Sequence, residues 1–364
     1  MLFKFSDSKL LFWMCVAVSV VGCGTVSKLP TVDEELAKSE AEKQRELAVE
    51  ENESGTNRLY KIGYRVLSNN AKLCEKTKHS AGIRIVYTQK KDGEFKAAIR
   101  KIYDLGNHVK IVQVVDGSPG SDAGLQTGDE IVAIDSSTSP TEEDKVFSWF
   151  VSKATEMNKA GRPYTISILR NGNSKDVSIS PEKICHYPIV LEKKDAVNAA
   201  ADGNRILVST GMMRFAVNDN DLALVVGHEL AHNTMLHIDK GTGNRIAGAV
   251  IGAVIGALIG IDLSGAGADL GSAVHSQEFE SEADYVGVYY AARAGFDITN
   301  VAKFWRKMAA NHPRSIHLSG STHPSSAKRF IAIEKTKEEI RAKEKQGLPL
   351  IPEKEEAEQT PPKS

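Results

Sequence analysis

The spacing of apolar residues predicts one core helix early in the chain, followed by extended segments. Apolar side chains between Leu59 and Leu73 recur at helical intervals, whereas Ile83–Tyr87 is typical of a strand. Long charged segments flank these patterns. Residues 23–55 predict a solvated helical spacer, and residues 336–364 predict a charged tail in which a fraying helix is followed by disorder.

The apolar run Leu10–Val21 near the N-terminus is shorter than a typical transmembrane helix, which needs about 20 residues. Directly after it, Gly22-Cys23 resembles the lipobox of bacterial lipoproteins. The resemblance implies that residues 1–22 are a signal peptide and that Cys23 carries a lipid anchor to the membrane. The residue after the cysteine is Gly24 rather than Asp. In lipoproteins of Gram-negative envelopes this implies attachment to the outer membrane. An ordinary cleaved signal peptide or an uncleaved inner-membrane anchor is the alternative.

Composition and charge narrow the classes of function. Lys and Arg number 46 and Asp and Glu number 47, which gives a formal net charge of −1. The basic excess that nucleic-acid binding requires is therefore missing, and we expect no nucleic-acid partner. Hydrophobic residues make up 41% of the chain, enough for a sizeable core.

A β-rich module is recognisable in residues 95–182. Val109–Val115 alternates as a strand, and Glu142–Lys159 carries apolar residues at helical spacing. Asn171-Gly172 lies between two further alternating segments, and this dipeptide is a strong signal for a β-hairpin.

With Gly128–Asp135 as another strand, this order resembles the core of a bacterial PDZ domain. The resemblance implies a groove that binds extended peptides by strand addition. Leu105-Gly106 is the nearest candidate for the carboxylate-binding loop of that groove. A rigid spacer that binds no peptide is the alternative.

The strongest chemical signal is the pattern His228-Glu229-x-x-His232. On a helix the two histidines are one turn apart, so both imidazoles can reach a single zinc ion. Glu229 lies beside them and can take a proton from a water molecule on that zinc. A helix with purely structural histidines is the alternative.

A third zinc ligand is expected from an acidic segment downstream. Glu280 and Asp284 are four residues apart and share a helix face, whereas Glu278 and Glu282 are turned about 200° away from Glu280. We therefore predict Glu280 as the ligand and Asp284 as the carboxylate that orients a ligand imidazole. Glu278 and Glu282 are expected to be solvated, and His275 is the alternative ligand.

The zinc pattern, followed by Glu280 and Asp284 as Glu-x-x-Ala-Asp, resembles the CAAX prenyl protease, HtpX and Oma-type family of membrane metallopeptidases. The similarity covers residues 57–334 and is greatest to periplasmic lipoprotein members with an inserted PDZ domain.

The resemblance also implies roles for residues outside the zinc pattern. His323 is expected to stabilise the oxyanion, and Arg329 is expected to support the site. Residues Asn198 to Ala200 are expected on an edge strand that pairs with substrate.

Two cysteines of the exported protein are expected to form a disulfide. Cys74 and Cys185 make an even pair in an oxidising compartment. An inserted domain needs its entry and exit close together, which brings these positions near each other. Two free buried thiols are the alternative.

The segment Ile246–Ile261 carries no charge, and its glycines recur every four residues, which permits close helix packing. It is shorter than a membrane span. We expect a buried or site-covering helical hairpin, with a membrane-dipping one as the alternative.

These observations predict an α+β protein: a mostly helical gluzincin metalloprotease domain with a small edge-strand sheet, and an inserted PDZ-like β-rich domain. The expected division is 1–22 for the signal peptide, 23–55 for the spacer, 56–94 and 183–335 for the protease domain, 95–182 for the PDZ-like domain, and 336–364 for the tail.

The predicted function is that of an endopeptidase with one Zn²⁺ per chain, acting on extended protein or peptide substrates. By resemblance it is lipid-anchored, faces the periplasm of a bacterial cell envelope, and serves quality control of envelope proteins. A peptide-binding, chaperone-like lipoprotein with a latent metal site is the alternative.

Overall fold

The computed structural model describes residue 27 and residues 29–240, 264–311 and 327–353. The chain divides into two compact units between Gln44 and Arg45, and the cores, sheets and metal centre described below belong to the second unit. The predicted signal peptide, Cys23, Ile246–Ile261 and His323 lie outside the described residues.

Helices and strands both contribute substantially, which confirms the α+β class. The described helices are α1 (Glu34–Asn69), α2 (Lys96–Ile102), α3 (Pro119–Asp122), α4 (Glu143–Ala160), α5 (Thr210–Phe215), α6 (Asp219–Thr234), α7 (Ser264–Arg293), α8 (Val301–Asn311) and α9 (Ala327–Lys345). Short 3₁₀ helices lie at Ala71–Leu73 and Lys90–Phe95. None of the described helices has the length and apolar character needed to cross a membrane.

The described strands are β1 (Thr77–Ser80), β2 (Ile83–Val86), β3 (Val109–Val114), β4 (Glu130–Ile134), β5 (Ser137–Thr138), β6 (Tyr164–Arg170), β7 (Asn173–Ile179), β8 (Glu182–Cys185), β9 (Ile189–Glu192), β10 (Ala199–Ala201) and β11 (Ile206–Ser209). They form a six-stranded sheet in the order β2-β3-β4-β6-β7 with β5 beside β4, a β1–β8 pair, and a three-stranded sheet in the order β10-β11-β9.

The six-stranded sheet and helix α4 enclose their own apolar core, which includes Ile111, Ile131 and Ile168. The predicted hairpin joins β6 to β7, and its two turn residues, Asn171 and Gly172, have φ values of 51° and 78°. Two-residue hairpin turns require this left-handed backbone, which Asn and Gly adopt most readily. The turn chemistry therefore determines the register of the hairpin.

This sheet begins earlier than the sequence division placed it. Strand β2 pairs with β3, so the sheet includes Ile83, whereas the predicted boundary was residue 95. The predicted carboxylate-binding loop, Leu105-Gly106, does not line the groove beside α4. Leu105 and Gly106 precede the inner strand β3, whereas the groove beside α4 is bordered by Ser80 and Ala81, directly before the edge strand β2.

The second core packs α1 and α6 to α9 around the three-stranded sheet. Leu59, Ile62 and Val66 of α1 are buried in it, as their helical spacing predicted. The tail begins with a helix, as predicted, but this helix is packed rather than frayed, because α9 continues to Lys345 and buries Ile340 completely. A few apolar side chains dock this highly charged helix, and their spacing is hidden among Lys and Glu residues.

Helices α6 and α7 approach each other closely at two glycines. A Cβ atom built on Gly287 would lie 2.8 Å from the Cα of His228, and one on Gly227 would lie 2.6 Å from the carbonyl oxygen of Gly287. No side chain fits at these distances, so the crossing requires glycine on both helices.

A disulfide joins Cys74 and Cys185, whose Cα atoms are 5.6 Å apart. The antiparallel β1–β8 ladder lies directly beside it, with Thr77 opposite Cys185 and Ser80 opposite Glu182. The entry and exit of the six-stranded sheet are therefore held together both by a ladder and by a covalent bond.

We predict that reduction, or replacement of both Cys74 and Cys185 by Ser, lowers the melting temperature of the protein. The bond closes a loop with a sequence separation of 111 residues, and the chain-entropy model gives an upper contribution of about 5 kcal/mol. Non-reducing peptide mapping and thermal unfolding test this. Free thiols at both positions in the folded, exported protein would contradict it.

We predict that Gly287→Ala lowers the free energy of unfolding by about 1–3 kcal/mol, because the added methyl group overpacks the α6–α7 crossing. Chemical denaturation measures the change. Ser281→Ala, at an exposed position of the same helix, is the matched control. Equal stabilities of the two variants would show that the crossing tolerates separation.

Candidate metal centre

Helix α6 carries the two histidines of the zinc pattern into the core. Its N-terminus is capped by Asn218, whose side chain accepts from the Asp221 amide at 2.9 Å. All residues from Leu222 to Asn233 are buried. The one-turn spacing places the Nε2 atoms of His228 and His232 3.1 Å apart.

Helix α7 supplies the third predicted ligand. The Glu280 carboxylate lies 3.2 Å from His232 Nε2 and 3.5 Å from His228 Nε2. One donor atom from each of the three residues lies within 4.8 Å of the other two, and all three side chains are buried. As predicted from the helix faces, Glu280 and Asp284 point into the core, while Glu278 and Glu282 are exposed.

The donor set fits zinc. Two imidazole nitrogens and one carboxylate are a ligand combination that zinc accepts in sites that keep a fourth position for water or substrate. Burial lowers the pKa of His228, but its hydrogen bonds to Asp284 and Glu280 outweigh burial and raise that pKa to about 10. The surroundings therefore favour a positive charge between these residues, which a metal cation supplies.

Asp284 orients the first histidine. Its carboxylate lies 3.1 Å from His228 Nδ1, which leaves Nε2 directed toward Glu280. Arg329 of α9 forms two hydrogen bonds to Asp284, at 2.7 and 2.9 Å, and lies 3.0 Å from Glu280. Burial raises the pKa of Asp284, but Arg329 and His228 outweigh it and hold the pKa below its usual value. Asp284 is therefore an ionised acceptor.

A second chain of hydrogen bonds orients the other histidine through His237, which the family resemblance indicates as a structural hydrogen-bonding residue rather than a ligand. His237 Nδ1 lies 3.0 Å from His232 Nδ1, and His237 Nε2 lies 2.7 Å from a carboxylate oxygen of Glu282. The carboxylate can only accept, so His237 donates from Nε2 and accepts from the Nδ1–H of His232. This leaves the His232 Nε2 lone pair for a metal.

The contact between His237 and Glu282, which the sequence did not predict, follows from the path of the chain after α6. Met235 ends the helix, and Leu236 adopts a left-handed backbone with φ of 58°. The chain therefore turns back, and His237 stacks on Phe279 with ring centroids 4.6 Å apart. Helical spacing gives no signal for a residue placed by such a turn, and the exposed position of Glu282 suggested solvent only.

Glu229 follows His228 on α6 and is buried. The ring of Trp305, from α8, lies 5.0 Å from that of His228. Apolar and aromatic surroundings of this kind strengthen the electrostatic influence of the few charged groups that remain in the site.

The strand predicted to pair with substrate is an edge strand, since β10 pairs only with β11 among the strands that the structure describes. Asn198 precedes it and exchanges two hydrogen bonds with Ser209. Asn233, next to His232, accepts from the Gly203 amide at 2.7 Å and donates to the Arg205 carbonyl at 3.0 Å. The β10–β11 turn is therefore fastened to the helix that carries the histidines.

The structure thus brings six predicted site residues into one buried cluster: His228, Glu229, His232, Glu280, Asp284 and Arg329. Asn198 and Ala200 lie on or beside the edge strand. His323, and the side chain of the alternative ligand His275, lie outside the described residues.

Two segments of the chain match known protein families. Residues 174–337 match Peptidase family M48, and residues 80–180 match the PDZ domain family. One similar solved structure is a crystal structure of the HtrA3 PDZ domain bound to a phage-derived ligand. Its sequence is 20% identical, its TM-score is 0.22, and the match covers 30% of this chain and 90% of the HtrA3 chain.

Three curated relatives align with this chain. The mitochondrial metalloendopeptidase OMA1 of Schizosaccharomyces pombe is 32% identical over 39% of this chain, and that of Arabidopsis thaliana is 28% identical over 39%. The beta-barrel assembly-enhancing protease of Yersinia pestis is 29% identical over 34%. The alignments cover 43%, 30% and 28% of these relatives, less than half of each. Residues 174–337 are therefore similar to peptidases of family M48 and residues 80–180 to PDZ domains, which confirms the resemblance inferred from the sequence.

Proposed function

We propose that the protein is a zinc-dependent endopeptidase. The observation that carries this proposal is the buried convergence of His228, His232 and Glu280, with Glu229 next to the first histidine on the same helix. The two histidines and Glu280 are the proposed ligands of one Zn²⁺ per chain. A structural role of the histidines alone does not explain why the Glu280 carboxylate faces the Nε2 atoms of both imidazoles.

The proposed division of labour follows from the chemistry of each side chain. When bound, zinc supplies a Lewis acid that polarises the peptide carbonyl and activates water. Glu229 takes the proton of the attacking water and then gives it to the leaving amine nitrogen. Asp284 and the His237–Glu282 pair hold the imidazoles, and Arg329 neutralises the carboxylates behind them. His323 is the proposed oxyanion donor.

The proposed substrates are protein segments in extended conformation. An open strand edge offers unpaired backbone groups to such a segment, and β10 provides one that is fastened to α6 through Asn233. The PDZ domain is the proposed second contact with the peptide chain.

We further propose that the protein acts in a bacterial cell envelope, anchored through a lipid on Cys23 and facing the periplasm, probing envelope proteins at the outer membrane. The signal-like N-terminus and the Cys74–Cys185 disulfide support an oxidising compartment. A relative named as a beta-barrel assembly-enhancing protease supports a role in quality control of outer-membrane proteins.

We predict that Glu229→Gln retains zinc but lowers kcat for peptide hydrolysis by about 10²–10⁴-fold, because the general base is lost. Mass spectrometry measures the zinc content, and cleavage of an unfolded protein substrate measures the rate of hydrolysis. Full activity of this variant would contradict the mechanism. Zinc binding without hydrolysis in the wild-type protein would favour a latent, peptide-binding chaperone instead.

We predict that Glu280→Ala weakens zinc binding by more than about 100-fold, since loss of a residue that only orients a ligand already costs 10–100-fold. Competition with a chromogenic chelator measures the affinity. Glu278→Ala, an exposed glutamate on the same helix, is the matched control. Equal zinc affinities of the two variants would exclude Glu280 as a ligand.

We predict that Cys23→Ser abolishes lipidation and releases the protein from membranes, because stable anchoring depends on the buried acyl chains. Mass spectrometry of the mature N-terminus and membrane fractionation test this. Tight membrane association of the variant would assign the anchor to another segment.

A further inference from the structure

The turn between the edge strand β10 and strand β11 is attached to the rest of the protein through both backbone groups of Gly203. Asn233 of α6 accepts from the Gly203 amide at 2.7 Å. Lys76, which directly precedes β1, donates from its ammonium group to the Gly203 carbonyl at 3.2 Å. The turn is therefore joined to the helix that carries the proposed metal ligands and also to the start of the β1–β8 ladder.

The turn has contacts of its own that determine its shape. The Asp202 carboxylate accepts from the amides of Asn204 at 2.9 Å and of Arg205 at 2.6 Å. Gly203 has a φ value of 85°, a left-handed backbone that glycine adopts without steric cost. Such local hydrogen bonds of an aspartate shape a turn wherever it lies. The two outside contacts therefore determine the place of the turn in the molecule rather than its shape.

The place of this turn determines where the backbone of β10 meets a substrate. The Asp202 amide donates to the Arg205 carbonyl at 3.2 Å, and the preceding residue Ala201 lies opposite Ile206. Hydrogen-bonded pairs alternate along antiparallel strands, so every second residue directs its N–H and C=O away from the partner strand. Ala201 therefore directs both groups toward the edge proposed to pair with substrate. It lies only two residues before Gly203, so a displaced turn also displaces Ala201.

Asn233 is the stronger of the two attachments. It follows His232 directly on α6, and its buried side chain also donates to the Arg205 carbonyl at 3.0 Å. An asparagine amide can accept and donate at once, so this one residue bonds the backbone on both sides of the turn. Truncation of the side chain removes both hydrogen bonds, and backbone groups that lose such partners favour positions that water can reach. The turn then shifts relative to the proposed metal ligands.

Lys76 is the weaker attachment, because its side chain is exposed and charged contacts in solvent contribute little. Its backbone is nevertheless fixed. The Lys76 carbonyl accepts from the His186 amide at 2.8 Å. Cys74 and Cys185, two residues before Lys76 and one before His186, form the disulfide. The ammonium group therefore reaches the turn from a firmly held segment, and its loss is expected to matter less than the loss of Asn233.

We propose that Asn233 and Lys76 are positioning residues of the peptidase, which keep the edge strand β10 where it can pair with an extended substrate. The inference rests on the proposed function and assigns two residues outside the ligand set to substrate binding. A strand that occupies the competent place for only a fraction of the time binds substrate more weakly by that fraction. Once the substrate is paired, the strand is in place and the chemical step proceeds as before. Removal of either residue therefore raises KM and leaves kcat nearly unchanged.

The test measures KM and kcat of the zinc-loaded full chain with dye-quenched, carboxymethylated α-lactalbumin, a protein that stays unfolded. All assays run well below the melting temperature of the least stable variant. We expect Asn233→Ala to raise KM about tenfold, with kcat and zinc affinity within about threefold of the wild type, and Lys76→Met to raise KM about threefold. A merely structural loss lowers the active fraction, and thus kcat, without changing KM. Two matched controls should leave KM unchanged: Asn70→Ala, a buried asparagine that joins α1 to α7, and Lys72→Met, an exposed lysine shortly before Lys76.

Hydrogen exchange of the β10–β11 amides, measured on the same samples, separates this proposal from the proposed enzyme. Asn233→Ala should speed exchange across Ala199–Ser209 at least about tenfold, whereas Asn70→Ala should not. Equal KM values of these two variants in an active enzyme would overturn the positioning role alone. Wild-type protein that binds zinc and hydrolyses nothing would overturn the peptidase. In that case faster exchange in Asn233→Ala would still support the attachment of the turn, and unchanged exchange would overturn it.

Discussion

The close crossing of helices α6 and α7 at Gly227 and Gly287 is the constraint on which the candidate metal centre depends. His228 lies on one helix and Glu280 on the other, and their donor atoms converge only because the two backbones touch at this point. A side chain at either glycine would separate the helices by more than the tolerance of a metal site, whose ligand distances vary by only about 0.2 Å. The packing of these two helices in the core therefore also determines the distances between the proposed metal ligands.

Around this crossing, each imidazole is oriented by a different set of contacts to its Nδ1 atom. A direct carboxylate, Asp284, orients His228, whereas His232 is oriented through His237 and Glu282. Arg329 then balances the two buried carboxylates of α7 from a third helix. Removing Arg329 would leave buried negative charge uncompensated, which is costly in a protein interior. The positions of the two imidazoles and of the Glu280 carboxylate therefore depend on helices α6, α7 and α9 and on the turn at Leu236.

Features with a local cause were predictable from the sequence. The one-turn spacing of His228 and His232, the shared face of Glu280 and Asp284, and the Asn171-Gly172 hairpin all follow from backbone periodicity or turn chemistry. The features that were missed depend on tertiary structure. The pairing of His237 with Glu282 depends on the left-handed backbone of Leu236, and β2 joins the PDZ sheet across a connection that contains α2. Helix α9 is ordered beyond residue 336 by packing that its charged sequence conceals.

The central claim is that His228, His232 and Glu280 hold one zinc ion. Anomalous X-ray diffraction from crystals of the purified protein, recorded on either side of the zinc absorption edge, tests it most directly. The account predicts one anomalous peak per chain, within about 2.0–2.2 Å of the Nε2 atoms of both histidines and of a Glu280 carboxylate oxygen. A crystal of zinc-saturated protein with no peak at these residues, or with its peak at other side chains, would contradict it.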